Sequence, residues 1–580
     1  MLLLASSVLA LLAGPLLYHW LSRRQSWLAL LDNFIFVVIG GLLLFHVMPE
    51  ALQLGGWPVL VLLLLGALGP GQLEHLFSKA ARTTHNLTLL VGVSGLALHA
   101  MTDGAALVDV DRSHSDALLA LGVVLHRLPV GLTIWWLLRP HFGRAVAGSV
   151  LALLMAGTLV GYGIGFQWLP QLGDAQLGWL QGLVAGTLLH VVLHRPFHKG
   201  KEARAWMAGL GGVLGAAVLL LISVPAWLGF HLHHDHELVE PALATGAALE
   251  RLWMLLLALS PWLLLSYALA LLLNRWRPFR HQQAVTDGSK GAFTGMAWGL
   301  ALPVCLPDAA RVYPRLLQHG ARPPMALAFL LAAPVFGIDA LLASLALLGP
   351  ELTLWRFGAV LALALLSVAI LMRLVPQLPP RSCYKHDAQA PLRSAFEMGY
   401  GHLVDHTAPW VITGLVLAAT LAPHPIWEAL AVHPIGQTLL VLVLALPLHL
   451  CATGLTPVVA ILLAFGLDLG AALALLLVGP ALNLGLLRYL AEQHSRRFAF
   501  AYGLVVMALA ALLALFVGQG LGLAVTPPAL DMAELSSPWR IASALALVGI
   551  FVWVMLRRGA RGFVAELWPK GLNISPHHHH

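Results

Sequence analysis

Long apolar runs alternate with short polar connections along most of the chain. In the first part these runs are about twenty residues long, which is the length that a helix needs to cross the hydrocarbon core of a bilayer. We therefore predict eight membrane spans there, near 2–20, 28–52, 57–77, 87–108, 117–138, 145–168, 178–195 and 205–230. From 248 to 560 the apolar runs continue, but proline and glycine interrupt them. The pattern predicts an all-α polytopic membrane protein.

The composition agrees with this class. Of 580 residues, 59% are hydrophobic and 10% are charged, and the mean hydropathy is +0.83, whereas a soluble domain carries about 25% charged residues. The net charge of +7 does not indicate nucleic-acid binding, because the basic residues fall in short loops. The C-terminal tail, 561–580, ends in His577–His580, which look like the remnant of an expression tag.

The basic residues predict the orientation of the spans. In the first part they occur in alternate connections, namely at 23–24, 79–82, 139–144 and 195–204. By the positive-inside rule, both ends of this eight-helix part lie outside the cytoplasm. Basic residues at 557–561 place the C-terminus in the cytoplasm. We expect a multi-pass protein of the plasma (inner) membrane.

Metal-ligating side chains recur inside the N-terminal spans. His99 and Asp103 are four residues apart, so a helix places them on one face. A carboxylate at mid-bilayer costs about 2.5–3.5 kcal/mol, which a divalent cation would offset. For one such pair, a structural ion pair or an interhelical hydrogen bond is an equal alternative. Further candidates on other spans are His46, Glu50, His126, His190 and His194, and the whole set favours a metal site.

These segments resemble the ZIP (Zrt-, Irt-like) family of zinc and iron transporters. LHAMTDG at 98–104 looks like the family's fourth-helix pattern HNxxDG, and LHRLPVG at 125–131 looks like its fifth-helix pattern H-E/K-x-P-E/H-G. FHVMPEA at 45–51 is similar to the HLLPEA-type segment of the second helix. The resemblance covers 1–230 and implies eight helices with a metal site built from the fourth and fifth.

Two positions depart from the ZIP pattern. Ala100 stands where the family has asparagine, and Val130 stands where it has glutamate or histidine. The usual binuclear centre is therefore incomplete. His99, Asp103 and His126 could still form a single site, with Glu50 or His46 as a further ligand.

Residues 231–247 form a histidine-rich linker that the predicted topology places outside the cytoplasm. Its sequence HLHHDHE contains four imidazoles in six residues, at His231, His233, His234 and His236. A solvated turn is the alternative, but this density of histidine favours weak metal gathering.

The second part, 248–560, contains an internal repeat. The segment 303–334 aligns without a gap with 449–480, and both contain Cys, Gly and Pro at the same spacing. Charged loops put the first unit after a cytoplasmic segment and the second after an outside one, so the repeat is inverted. Inverted segments that proline and glycine interrupt indicate a transport site near the membrane centre. We expect each unit to be a re-entrant or broken helix pair followed by a full span.

Thiol and polar side chains cluster in the repeat. Cys305 and Cys451 occupy equivalent places, and thiolates select soft or borderline ions such as Zn(II) or Cu(I). A lone buried cysteine is usually a small hydrophobe, but two at related positions make a ligand role as plausible as a packing role. The predicted transport path comprises Cys305, Asp308, Asp339, Asp405, His406, Cys451, Thr453, Thr456 and Asn483.

This part resembles the predicted-permease family that includes methylarsenite exporters and putative copper/zinc exporters. CATGLTP at 451–457 and GPALN at 479–483 match the family's CATGSTP and GPATN closely. PVFGID at 334–339 looks like PETGVD, with Val335 in place of a glutamate, and HLVDHTAPW at 402–410 is similar to DLLDDIGPW. The family's first repeat has paired cysteines, as in PLCSCG, whereas PVCLPD retains one.

The sequence thus predicts a fusion of a ZIP-like domain (1–230) and an inverted-repeat permease domain (248–560). We expect a transporter of divalent or soft metal ions, zinc first and copper second, rather than an enzyme. The cargo ion is the substrate, no organic cofactor is expected, and a homodimer is compatible with the sequence. The permease resemblance implies export and the ZIP resemblance implies uptake; the reduced ZIP site favours export. Asp308, Asp339 and Asp405 are candidates for proton coupling.

Two other interpretations remain open at the level of the sequence. One is an exporter of organic arsenicals, with Cys305 and Cys451 as ligands of trivalent arsenic. The other is a membrane redox protein that holds haem or copper between histidine pairs. ATP-driven pumping has no support, because no GxxxxGK[ST] loop occurs.

Overall fold

The structure, a computed structural model, is built from helices, and the residues that it describes contain no β-strand. It describes 2–21, 25–56, 58–76, 93–94, 96–97, 100–101, 104, 117–168, 173–193, 205–232, 240–276, 288–301, 305–318, 321–375, 403–421, 433–521 and 532–567. In these parts, seven helices are long and apolar enough to cross a membrane, or eight if one bent pair counts as a single span. The predicted class, an all-α polytopic membrane protein, is confirmed.

The chain forms two compact units. Unit 1 comprises Met1–Glu250 with Met555–Gly562, and unit 2 comprises Arg251–Val554 with Phe563–His580.

The helices of unit 1 pack in pairs. They are α1 (Leu2–Leu21), α2 (Gln25–Leu42) continued by a π-helical turn (Leu43–Val47), α3 (Met48–Gly55), α4 (Pro58–Leu76), α5 (Ala117–Trp168), α6 (Asp174–Leu193) and α7 (Ala205–Leu232). Helix α1 packs on α5, α2 packs on α7, and α3 and α4 pack on α6. Small residues permit these close crossings: a Cβ added at Gly131 of α5 would lie 2.1 Å from the carbonyl oxygen of Leu11 in α1.

Helix α5 contains the fifth and sixth predicted spans, which meet at a sharp break. Gly143 has φ 84° and ψ 178°, a conformation that interrupts the helix and that only glycine adopts easily. The predicted spans 117–138 and 145–168 lie on either side of it.

The segment 555–562 belongs to unit 1 although it lies near the end of the chain. Arg561 donates from Nε and Nη2 to the two carboxylate oxygens of Asp32 in α2, at 2.6 and 2.9 Å. Its guanidinium also lies over the ring of Phe36, 4.7 Å from the centroid. A two-pronged ion pair of this kind fixes geometry better than a single contact, so it holds this segment on α2.

The later helices contain the repeat. They are α8 (Glu240–Trp276), α9 (Gly288–Ala301), α10 (Leu306–Gln318), α11 (Pro323–Val335), α12 (Ile338–Leu347), α13 (Gly349–Leu374), α14 (Leu403–Thr420), α15 (Pro434–Ala445), α16 (Ala452–Ala464), α17 (Leu469–Ala481), α18 (Leu484–Gln493), α19 (Arg496–Leu515), a π-helical turn (Phe516–Gly520), α20 (Met532–Leu535), α21 (Pro538–Arg558) and α22 (Ala560–Val564).

The two halves of unit 2 have the same backbone plan. Helices α10, α11 and α12 recur as α16, α17 and α18 at an offset of 146 residues, which is also the separation of Cys305 and Cys451. Their contacts are reciprocal: α9 packs on α11 as α15 packs on α17, and α11 packs on α13 as α17 packs on α19. In the most apolar part of the span formed by α11 and α12, 89% of the residues are buried. This is expected for a helix that is apolar on all sides and lies in the core.

Both repeats contain helices too short to cross a bilayer. Helices α10 and α16 each have 13 residues, or about 20 Å at 1.5 Å per residue, against a hydrocarbon core of about 30 Å. Helix α17 ends at Ala481, and α18 continues from Leu484 after a bend of 42°. These interrupted helices agree with the predicted broken pairs.

Asp468 stabilises the start of α17, and its loss should cost stability. Its carboxylate accepts from the backbone N–H groups of Gly470 and Ala471 at 2.8 and 3.3 Å, an N-cap arrangement worth about 1 kcal/mol. We expect Asp468→Ala to lower the unfolding temperature of the detergent-solubilised protein by a few degrees. Glu492→Ala, which removes an exposed carboxylate paired with Arg488, should change it by much less. Equal shifts for the two variants would contradict this role.

Candidate functional site

Three helices of unit 2 begin at the wall of one small cavity, and a fourth begins one contact away from it. Helices α10 and α16 start directly after Cys305 and Cys451, and α12 starts after Gly337. Helix α18 starts after Asn483, which contacts the cavity residue His449. Since free N–H groups give a helix start a partial positive charge, this arrangement favours negative charge in the cavity.

The cavity has a volume of about 10 Å3, which is room for about one water-sized particle. Both repeats contribute to its wall. The lining residues are Cys305, Leu306, Ala333, Pro334, Gly337, Asp339, Ala340, His449, Leu450, Cys451, Ala452 and Thr453.

The two cysteines face each other across the cavity. Their Sγ atoms are 3.7 Å apart, and both thiols are free, with Cys451 buried and Cys305 half-buried. Cys451 is the N-cap residue of α16, and the corresponding Cys305 precedes α10, where its carbonyl accepts from the backbone N–H groups of Asp308 and Ala309. The fold therefore brings together two thiols that are 146 residues apart in the sequence.

A buried carboxylate lies beside the thiols. Asp339, in the first turn of α12, is 6% exposed and accepts a hydrogen bond of 2.5 Å from Thr453 Oγ1 of α16. The bond joins a carboxylate of the first repeat to the CATGLTP segment of the second.

Arg356 makes a further connection between the repeats. This residue of α13 is fully buried and donates from Nη1 to Ser344 Oγ at 2.5 Å and to Thr456 Oγ1 at 3.2 Å. Its Nη2 donates to the carbonyl oxygen of Val335 at 3.0 Å, at the end of α11, where carbonyl groups lose their helical partners. One guanidinium thus contacts α11, α12 and α16.

His449 completes the polar wall of the cavity. Its Nδ1 lies 2.9 Å from Asn483 Nδ2, and its ring stands edge-on to Trp410 with centroids 5.1 Å apart. Asn483 also accepts from the backbone N–H of Leu486 at 2.8 Å, which caps α18. The break between α17 and α18 therefore positions an imidazole at the cavity.

The structure brings some of the predicted path residues together and separates others. Cys305, Asp339, Cys451 and Thr453 line the cavity. Thr456 and Asn483 do not line the cavity. Thr456 accepts a hydrogen bond from Arg356, and Asn483 contacts His449, which does line it.

Three predicted path residues lie elsewhere in unit 2. Asp308 pairs with the exposed Arg311 on α10 at 2.8 Å. Asp405 is buried in the first turn of α14. The neighbouring His406 lies 2.5 Å from a carboxylate oxygen of Glu566. None of the three lines the cavity.

Most predicted ligands of the N-terminal half lie outside the described residues. These are His99, Asp103, His194, His233, His234 and His236. Backbone positions alone are described for His46 in the π-helical turn, Glu50 in α3, His126 in α5, His190 in α6 and His231 in α7. Within the described part of the chain, no three His, Cys, Asp or Glu side chains are grouped closely enough to hold a metal ion.

One side chain next to the predicted ZIP-like site is described. Arg127 follows His126 in α5, is 2% exposed, and donates to the carbonyl oxygen of Ala100 at 3.3 Å. A permanent positive charge therefore lies where the resemblance implies glutamate or lysine.

Sequence reasoning missed Arg356, His449 and Glu566. Arg356 could have been found, because a charge inside the apolar 26-residue run Gly349–Leu374 is itself a functional signal. His449 stands two residues before Cys451 in the repeat. Glu566 gave no signal, since only the fold brings it to His406.

Residues 244–519 match the family model described as a predicted permease. The matched range includes both repeats and every residue that lines the cavity. No curated protein and no solved structure matches the chain. The match and the broken apolar helices support a permease in the C-terminal half and a multi-pass membrane transporter.

Proposed function

We propose that unit 2 transports a thiophilic metal ion, zinc first and copper second, across the plasma (inner) membrane. The observation that carries this proposal is the pair of free thiols, 3.7 Å apart, where the two repeats meet. In inverted-repeat transporters the cargo binds at this kind of junction, between broken helices.

The spacing of the thiols favours zinc. Two sulfurs bound to one tetrahedral zinc at 2.3 Å would lie about 3.8 Å apart, close to the observed separation. A linear two-coordinate Cu(I) ion would hold its two sulfurs farther apart, at twice the metal–sulfur distance. Asp339 and His449 line the same cavity, but no three His, Cys, Asp or Glu side chains of the described residues lie close enough to hold a metal ion together, so the proposal depends on the two thiols.

The helix starts support binding by thiolates. A helix N-terminus stabilises a thiolate, and both cysteines precede helices. Two thiolates held in this way would attract a cation.

The N-terminal half has a supporting role in this proposal. It would supply, receive or regulate metal at His99, Asp103 and His126, with His231, His233, His234 and His236 gathering ions in the linker. Outward transport fits best, because the permease resemblance implies export and because Ala100 and Val130 replace two ZIP ligands. The basic residues at 557–561 favour a cytoplasmic C-terminus in this proposal.

A second candidate cargo is a trivalent organic arsenical. Two facing thiols can each replace one hydroxyl of methylarsenite, CH3As(OH)2: an As–S bond forms, an As–O bond breaks, and the thiol proton leaves with the hydroxyl as water. Such a cargo is uncharged. The buried Arg356 and the positive helix starts would repel a free dication more than a neutral molecule. This observation favours the arsenical, whereas the sulfur separation favours zinc.

Transport by the purified full chain in lipid vesicles tests both cargoes. We expect zinc to enter vesicles that contain the protein, and Cys305→Ser and Cys451→Ser each to reduce the rate by at least about tenfold, the scale seen when a metal site is damaged. Cys383→Ser is the matched control, since it removes the chain's third cysteine from the polar linker 376–393.

The outcomes separate the alternatives. If a methylated arsenite crosses and zinc does not, with the same dependence on the two cysteines, the cargo is the arsenical and not the metal. If the protein gives no flux of any transition metal or arsenical into the vesicles, the proposal is overturned.

A further inference from the structure

Arg356 places a permanent positive charge inside the apolar span Gly349–Leu374. A guanidinium cannot lose its proton in a protein, and burying it without an opposite charge is costly. The groups that it contacts directly are neutral: Ser344, Thr456, the carbonyl of Val335 and the ring of Phe336, whose centroid lies 5.1 Å from the guanidinium. Its opposite charge must come from a neighbour.

Asp339 is a buried carboxylate that one face of helix α16 links to this buried guanidinium. Thr453 donates to Asp339 and Thr456 binds Arg356. The two threonines are three residues apart and therefore on one face of the helix.

We infer that Arg356 is the resident counter-cation of Asp339, a positioning residue that removes the need for a co-transported Na+ or K+ ion at this carboxylate. A charged carboxylate in the membrane is costly unless it is paired, and a cation taken from solution is one possible partner. Here the protein supplies it. The inference rests on the proposed function to the extent that Asp339 lines the cargo cavity.

A purely mechanical role for Arg356 makes a different prediction. If the residue only held α11, α12 and α16 together, its loss would be equally harmful with or without the Asp339 charge. If it compensates that charge, removing both charges should be less harmful than removing one. Double-mutant analysis measures this difference directly.

The first measurement is thermal unfolding of the full-length protein in detergent, which does not depend on the cargo. The variants are Asp339→Asn, Arg356→Gln and the double variant, with Arg356→Lys to keep the charge. We expect Arg356→Gln to lower the unfolding temperature by on the order of 5–10 °C and the double variant to recover at least about half of that loss. Arg373→Gln, the same change at an exposed arginine of α13, is the control and should have little effect.

The second measurement is cargo flux into vesicles in sodium, potassium or choline buffer at one pH. For the unmodified protein we expect rates equal to within about twofold, since an internal charge is independent of the medium.

The outcomes are as follows. A zinc flux that depends more than about fivefold on Na+ or K+ would overturn the inference. A double variant no more stable than the sum of the single losses predicts, or one that yields no folded protein, would also overturn it. If no cargo crosses at all, the proposed function fails, and the unfolding data alone decide the role of Arg356.

Discussion

Replacing Gly414 by alanine should prevent unit 2 from reaching its native packing. A Cβ added there would lie 1.8 Å from the carbonyl oxygen of Gly454 and 2.6 Å from its carbonyl carbon, where contacts normally begin near 3.4 Å. The obstacle is backbone of α16, which cannot rotate away as a side chain could. Because α16 begins at the cavity with Cys451, its displacement would also separate the two thiols.

The measurement is the yield of monodisperse protein after solubilisation, followed by thermal unfolding of whatever remains. We expect Gly414→Ala to lose most of its folded protein, an effect of more than about 4 kcal/mol, which only mechanisms such as overpacking produce. Gly358→Ala is a matched control, since it lies in helix α13 of the same unit with no atom within 4 Å of the added Cβ. A Gly414→Ala protein as stable as this control would show that α14 and α16 do not cross as described.

Oxidation should join Cys305 to Cys451 and stop transport. Their Sγ atoms lie 3.7 Å apart, and we expect this proximity to allow a disulfide bond of about 2.05 Å to form. The two thiols lose two protons and give two electrons to the oxidant, for which copper(II) phenanthroline under air is suitable. The bond would link the two repeats covalently and would remove both thiols as ligands. Flux should therefore fall to background, and it should return after reduction with dithiothreitol.

Thiol counting on the denatured protein checks the chemistry. The chain has three cysteines, so a maleimide reagent should label three thiols before oxidation and one after it. The Cys305→Ser protein should form no such bond within one chain and thus serves as the control. Full labelling after oxidation, or undiminished flux in protein with a single remaining thiol, would contradict the facing arrangement.

The sequence was sufficient to predict the repeat and its interrupted helices. Proline and glycine at equal spacing in 303–334 and 449–480 determine where helices end, and these are local properties of the backbone. The equivalence of Cys305 and Cys451 followed from the same alignment. Their proximity required the repeat to be inverted, which the charged loops indicated.

The sequence was not sufficient to predict which polar groups meet. Asp308 and Asp339 are similar as sequence signals, yet the first pairs with an arginine on its own helix and the second meets Thr453 of the other repeat. That choice depends on helix rotation and crossing, which are properties of tertiary packing. Arg356 reaches three helices for the same reason, and no local pattern specifies its partners.

The two helix breaks, otherwise equivalent, differ in their side chains. In the second repeat Asn483 caps α18 and binds His449; in the first, Gly337 has no side chain to do either, and Asp339 and Arg356 provide the polar contacts. If both halves were identical, the inward-open and outward-open forms would be related by a two-fold rotation about an axis in the membrane plane and would have equal free energy. Because the chemistry at the two breaks is unequal, we expect the two forms to differ in free energy, so that one side is preferred even without a gradient.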